Sequence, residues 1–151
     1  MVFAVLLILW LNRQRLQLPA SDTFQYHAGQ YIEILLKDGE RRAYSMASAP
    51  ETQASQPGIE LHLRHMPGGL FTDQVFSTLK EKDILRVEGP FGSFFLREDS
   101  AKPMVFLASG TGFAPIKALL EHIPEVQNQA PWQGLQAEHA QQLGHARIDL
   151  E

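Results

Sequence analysis

Residues 105–122, VFLASGTGFAPIKALLEH, read as a buried strand, a glycine-rich turn and the start of a helix. Many nucleotide-binding domains begin this way, because such a turn brings a phosphate close to the open N–H groups of a helix N-terminus. The turn departs from G-x-G-x-x-G by carrying Pro115 in the last place, while Gly110 and Gly112 remain and Thr111 can donate a hydrogen bond. A second glycine turn, PGGLFT, sets Gly68 and Gly69 before a short helical pattern, so N–H groups at its start can face an anion. By itself, PGG reads as a plain turn before a helix; with Arg42 and Tyr44 upstream it reads as an anion-facing loop. A third stretch, RAYS, supplies the planar multi-donor fork of Arg42, the ring of Tyr44 and the hydroxyl of Ser45.

These residues need elements to position them. YIEILL places Ile32, Ile34 and Leu36 on one face, and KDGE follows as a hairpin turn. IELHLR alternates, with Ile59, Leu61 and Leu63 inward and Glu60, His62 and Arg64 outward, where His62 and Arg64 read as part of a solvated face or as lying near where a cofactor could run. FTDQVFSTLK has helical spacing at Phe71, Val75, Phe76 and Leu79, with Thr72 as the N-cap. DILRVEGPFGSFFL reads as a strand, a Gly/Pro turn and another short strand. Short strands with regular turns and one short helix predict a mainly β, antiparallel barrel to about residue 100. MVFLA (104–108) is apolar throughout, as in a strand buried on both faces of a parallel sheet, and Ile116, Leu119 and Leu120 of the next helix would face that sheet.

The chain of 151 residues is 44% hydrophobic and 20% charged, which predicts a globular protein. Its net charge of −4 gives no basic footprint for nucleic acid. The absence of cysteine excludes disulfides, thiolate zinc sites and iron–sulfur ligation within this chain, and leaves the compartment open. His27, His65, His122, His139 and His145 show no ligand spacing with carboxylates, so no metal site is expected. The apolar run VFAVLLILWL (2–11) is half the roughly 20 residues a bilayer span needs. It reads as a buried strand or mistranslated leader, as a signal-like or membrane-associating segment, or as a start-site artefact.

In order and spacing, RAYS, PGGLFT, GPFGSFFL and LASGTGFAP resemble the ferredoxin–NADP+ reductase superfamily. The likeness is especially to CDP-6-deoxy-delta-3,4-glucoseen reductases and related oxygenase reductases, and it covers roughly residues 15–122. The resemblance implies a six-stranded FAD-binding barrel (1–100, with 1–14 an apolar leader). An incomplete NAD(P)-binding domain (101–122) and a divergent tail (123–151) would follow. It further implies that Arg42 binds the FAD pyrophosphate and that Tyr44 stacks on the isoalloxazine. Ser45 would sit by N5 as the catalytic side chain, and Gly68, Gly69, Leu70 and Thr72 would hold the pyrophosphate. Gly110, Thr111, Gly112 and Pro115 would approach NAD(P)H. Ser45 can join Arg42 and Tyr44 only if the strand bends after Tyr44.

Relatives of this kind carry a complete nucleotide sheet, and often an iron–sulfur domain. Neither is recognisable here, and a weak helix over 135–146 is the only pattern in the tail. A truncated or fused frame is therefore expected. One reading is a cytoplasmic flavin oxidoreductase that takes hydride from NAD(P)H and passes electrons to an iron–sulfur domain, protein or other acceptor, with no membrane association. The other is a flavin-binding module, or inactive fragment, without NAD(P)H activity of its own.

Overall fold

A computed structural model of the chain describes residues 11–18, 24–100 and 104–129. The expectations for the apolar run before Leu11 and for a helix over 135–146 lie outside them. Five strands are present among these residues: β1 (Leu11–Leu16), β2 (Tyr31–Leu35), β3 (Arg41–Ser45), β4 (Ile59–Arg64) and β5 (Arg86–Phe91). Two α-helices accompany them, α1 (Leu70–Ser77) and α2 (Phe113–Gln129). All pairing is antiparallel, in a three-stranded sheet of order β3-β2-β5 and a two-stranded sheet of β1 and β4. A bridge between Met46 and Leu61, with Ala47 N–H donating to the Glu60 carbonyl at 2.7 Å, joins the two sheets.

The alternation in YIEILL holds. Ile32 and Ile34 are fully buried, and the 36–40 turn closes with Gly39 at φ +86°, a value that suits glycine. On the other face of this sheet, Arg41 pairs with Glu33 and with Glu88. Ile32, Ile34, Met46, Ile59, Leu61, Leu63, Tyr26 and Phe71 form the core. Each such aliphatic side chain contributes roughly 1.5–3 kcal/mol through burial.

The barrel expected from the sequence is not closed among the described residues, and its sixth strand is absent. Residues 92–96 pack across the 27–30 turn instead of pairing. The Phe94 carbonyl lies where a Cβ on Gly29 would be 2.2 Å away, and Phe95 stacks on His27 at 4.9 Å. MVFLA is likewise not a strand. Val105 and Leu107 are 87% and 93% exposed, because a strand buried on both faces requires neighbouring strands, and none flanks it among the described residues.

The outer face of β4 differs most from expectation. Arg64 is exposed, but Glu60 and His62 are buried, because α2 lies over them. Phe113 stacks on the His62 ring at 6.3 Å, and Lys117 Nζ donates to the Ala47 carbonyl at 2.9 Å and reaches Glu60 Oε2 at 3.5 Å. Glu121 pairs with Lys117 and accepts from Ala49 N–H at 3.0 Å. Arg15, from β1, reaches the same Glu60 carboxylate at 3.1 Å. Ile116 and Leu119 are buried as expected, yet Leu119 packs with Ala118 beside Ala28 and Ala49 rather than on a parallel sheet. The helix continues beyond His122, through Pro124, to Gln129.

The hydrogen bond from His62 Nε2 to Glu60 Oε1, at 2.8 Å, is the largest cause of a Glu60 pKa lowered from 4.5 to about 2, and Lys117 lowers it further. A carboxyl depressed in the folded state stabilises fully above its ordinary pKa and loses that stability as pH falls through the folded value. Denaturant titrations should therefore show a loss on the order of 3 kcal/mol from this group between about pH 5 and pH 2. Glu60→Gln should be less stable at pH 7 and flatter in acid. An acid limb identical in both proteins would refute the role of Glu60.

Candidate functional site

Antiparallel pairing puts opposite residues on one face, so Arg42 and Tyr44 share the face of Ile34 and Ile32. Tyr44 is half-buried, its ring 5.4 Å from that of Phe71, which joins β3 to the first turn of α1. Burial pushes the Tyr44 phenol above its ordinary pKa, and the nearby Arg42 charge opposes this. The phenol is therefore held as a donor at neutral pH. Arg42 Nη1 donates to Glu40 Oε2 at 3.0 Å and to the Arg41 carbonyl at 2.7 Å.

Ser45 pairs with Tyr31 in unbroken register. It therefore lies on the opposite face of β3 from Arg42 and Tyr44. The bend expected after Tyr44 is not in this ladder. The irregularity lies on the other side of β2, where the pairing with β5 shifts between Tyr31 and Glu33.

The PGG loop is tightly bonded. Gly68 has φ +81°, and Gly69 is the N-cap of α1. Thr72, expected as the cap, is instead the third helical residue and buried. Its hydroxyl donates to the Met66 carbonyl at 3.0 Å and accepts from Met66 N–H at 3.3 Å. The Gly69 N–H also donates to the Met66 carbonyl, at 2.8 Å. Gly68 N–H donates to Asp73 Oδ2 at 2.9 Å, and His65 Nε2 lies 2.7 Å from Asp73 Oδ1. The donors left without intrahelical acceptors are those of Leu70, Phe71 and Thr72, as at any helix start.

Gly110–Gly112 form a 3₁₀ turn, with Gly110 at φ +55°, and Pro115 falls in the first turn of α2. Thr111 is exposed. Phe113, on His62, anchors this turn to the outer face of β4. The structure thus brings Tyr44 to the first turn of α1 through Phe71, with Arg42 on the same face of β3 as Tyr44. It seats the 110–115 turn on β4, and sends Ser45 to the far face of β3, from which it meets the Tyr44 face only if β3 bends beyond Tyr44. Sequence reasoning missed Asp73, Glu60 and Lys117. Only the i,i+4 spacing of Lys117 and Glu121 signalled a paired charge. His62 Nδ1 is buried without a hydrogen-bond partner among the described residues. Among these residues, no helix is long and apolar enough to cross a membrane.

The family model for the oxidoreductase FAD-binding domain matches residues 11–96. The CDP-6-deoxy-L-threo-D-glycero-4-hexulose-3-dehydrase reductase of Yersinia pestis is 49% identical over 106 residues, 70% of this chain and 31% of the relative. Reductase component 2 of the terephthalate 1,2-dioxygenase of a Comamonas species is 48% identical over 109 residues, 72% of this chain and 31% of the relative. The chain thus spans about a third of the length of these curated relatives. Among solved structures, an Amycolatopsis cytochrome P450 reductase aligns with TM-score 0.68 and 32% identity, covering 79% of this chain and 36% of that one. The ferredoxin-NADP+ reductase of Plasmodium falciparum shares the fold, with TM-score 0.56 and 21% identity over 74% of this chain and 50% of that one.

A Cβ on Gly69 would lie 2.5 Å from Thr72 Oγ1 and 2.8 Å from the Met66 carbonyl. Gly69→Ala should therefore open the loop and destabilise the fold by about 1–3 kcal/mol in urea titrations. Stability equal to wild type would show that the 66–72 bonding does not hold this loop.

Proposed function

This chain belongs to the oxidoreductase FAD-binding domain family, and we propose that it holds FAD as the flavin module of a cytoplasmic NAD(P)H-dependent reductase that serves an iron–sulfur or other electron acceptor. The observation that carries the reading is the Tyr44–Phe71 contact, which joins an aromatic ring to a helix start on the strand face that also carries Arg42. The donor set suits a flavin dinucleotide: a flat wall for the ring and cationic or N–H groups for the pyrophosphate.

In this reading, Arg42 releases Glu40 and turns its guanidinium to the pyrophosphate, where a planar fork gives paired charge-assisted bonds. Leu70, Phe71 and Thr72 offer their open N–H groups, and Gly68 and Gly69 shape the loop that presents them. Tyr44 packs along the flavin and keeps its phenolic proton. Ser45 lies on the opposite face at the end of β3, and its proposed place near N5 at the edge of the ring requires the chain to bend beyond Tyr44 when FAD binds. When bound, FAD would supply hydride acceptance and single-electron delivery, which no side chain provides. Gly110, Thr111, Gly112 and Pro115 are the proposed approach for NAD(P)H.

A second reading is favoured by the exposed 104–108 segment: a flavin-binding module that cannot use NAD(P)H by itself. Partners come from the relatives, several of which are reductase components of dioxygenase systems.

The purified chain should show flavin absorbance. Bleaching by NADH or NADPH supports the reductase reading, and bound flavin that neither reagent bleaches leaves the module. A chain that takes up no flavin refutes both. Arg42→Ala should weaken FAD binding at least about tenfold, the scale of lost charge-assisted hydrogen bonds. Arg64→Ala, on the exposed end of β4, should change it little. Equal losses would move the pyrophosphate site elsewhere.

A further inference from the structure

The loop that precedes α1 already holds an anion of its own. Asp73 accepts the Gly68 N–H on one oxygen and contacts His65 Nε2 with the other, while the His65 ring stacks on Phe76 at 4.8 Å. Asp73 lies in the first turn of α1, so its charge sits at the same end as the N–H groups of Leu70, Phe71 and Thr72. Arg42 is answered in the same way by Glu40. The two carboxylates differ in how firmly they are held. Glu40 has a 59% exposed side chain and one exposed ion pair, so it can turn to water at little cost. Asp73, with a 46% exposed side chain, is tied through both oxygens, so moving it breaks two contacts rather than one.

We propose that Asp73 sets the affinity of the flavin site. Its carboxylate occupies the Gly68 donor in the free protein and repels the pyrophosphate when FAD binds. FAD is consequently held more loosely, and exchanges more readily, than Arg42 and the helix start alone would allow. The proposal rests on the reading that the pyrophosphate lies at residues 68–72.

Asparagine isolates the charge. Its Oδ1 can accept from Gly68 and its Nδ2 can donate to His65, so both hydrogen bonds survive while the charge is lost. Removing a like charge beside a bound diphosphate on a partly wet surface is worth on the order of three- to tenfold in affinity.

The test is titration of the flavin-free full chain with FAD and with riboflavin, followed by flavin fluorescence at low and high salt. Asp73→Asn should bind FAD about three- to tenfold more tightly than wild type, with the gain shrinking in salt. Riboflavin, which lacks phosphate, should bind both proteins equally. Glu81→Gln, an exposed site beyond the other end of α1, removes the same net charge and should match wild type. If Asp73→Asn fails to fold by circular dichroism, His65→Lys decides, since a fixed cation beside the carboxylate should also tighten FAD. Unchanged or weaker FAD binding in the folded variant overturns the proposal, as does an equal gain for riboflavin. Should Arg42→Ala weaken FAD while Asp73→Asn does not tighten it, only this inference fails. If Arg42→Ala leaves FAD affinity intact, or wild type and Asp73→Asn both bind no FAD, the site assignment itself falls, and this proposal with it.

Discussion

A carboxylate taken out of water must be surrounded by donors, and Glu60 is surrounded by three elements at once. Arg15 comes from β1, His62 from β4 itself, and Lys117 from α2. Removing one partner from such a cluster leaves charge buried without compensation, which costs more than the cluster contributes when whole. Strand pairing, helix docking and the seating of the Gly110–Gly112 turn therefore depend on a common point. β4 becomes the axis of the molecule: its apolar face closes the core, and its polar face receives α2.

The flavin cluster depends on this arrangement less directly. β4 leads through Arg64 into the 65–69 loop, and the loop delivers Phe71 to Tyr44. Holding β4 from both sides fixes where that loop departs. The site thus consists of local turn chemistry, in Gly68, Gly69 and Thr72, mounted on a strand whose position is set by long-range contacts.

That division also explains what the sequence revealed. Period-two alternation identified the inner faces of β2 and β4, because inward residues there are apolar. It misjudged Glu60 and His62, since polarity on an outer face says nothing of what covers it, and α2 lies more than fifty residues further along the chain. Thr72 carries the right side chain for an N-cap, but the loop begins the helix earlier, at Gly69, and uses the hydroxyl to brace Met66. Arg42, Tyr44 and the glycine loop were legible as chemistry. Ser45 was legible as a residue type, whereas its face depends on a register that only the ladder reveals. The sixth strand was expected from the resemblance and the 104–108 strand from its apolar run, and strands exist only where partners are present.

After Met46 the β3 chain leaves its ladder, and such a stretch would ordinarily offer free backbone groups to any passing strand. Here most of them are taken up. Ala47 donates to Glu60 and accepts from Lys117, the Ser48 carbonyl accepts from Tyr26, and Ala49 donates to Glu121 and accepts from Thr52. Side chains of a helix thus finish the work of a missing strand, and residues 47–49 are closed to edge-to-edge recruitment. The guard depends on α2 staying docked. A lesion in Lys117 or Glu121 would therefore show itself first as self-association through a newly bared margin, before any loss of the core.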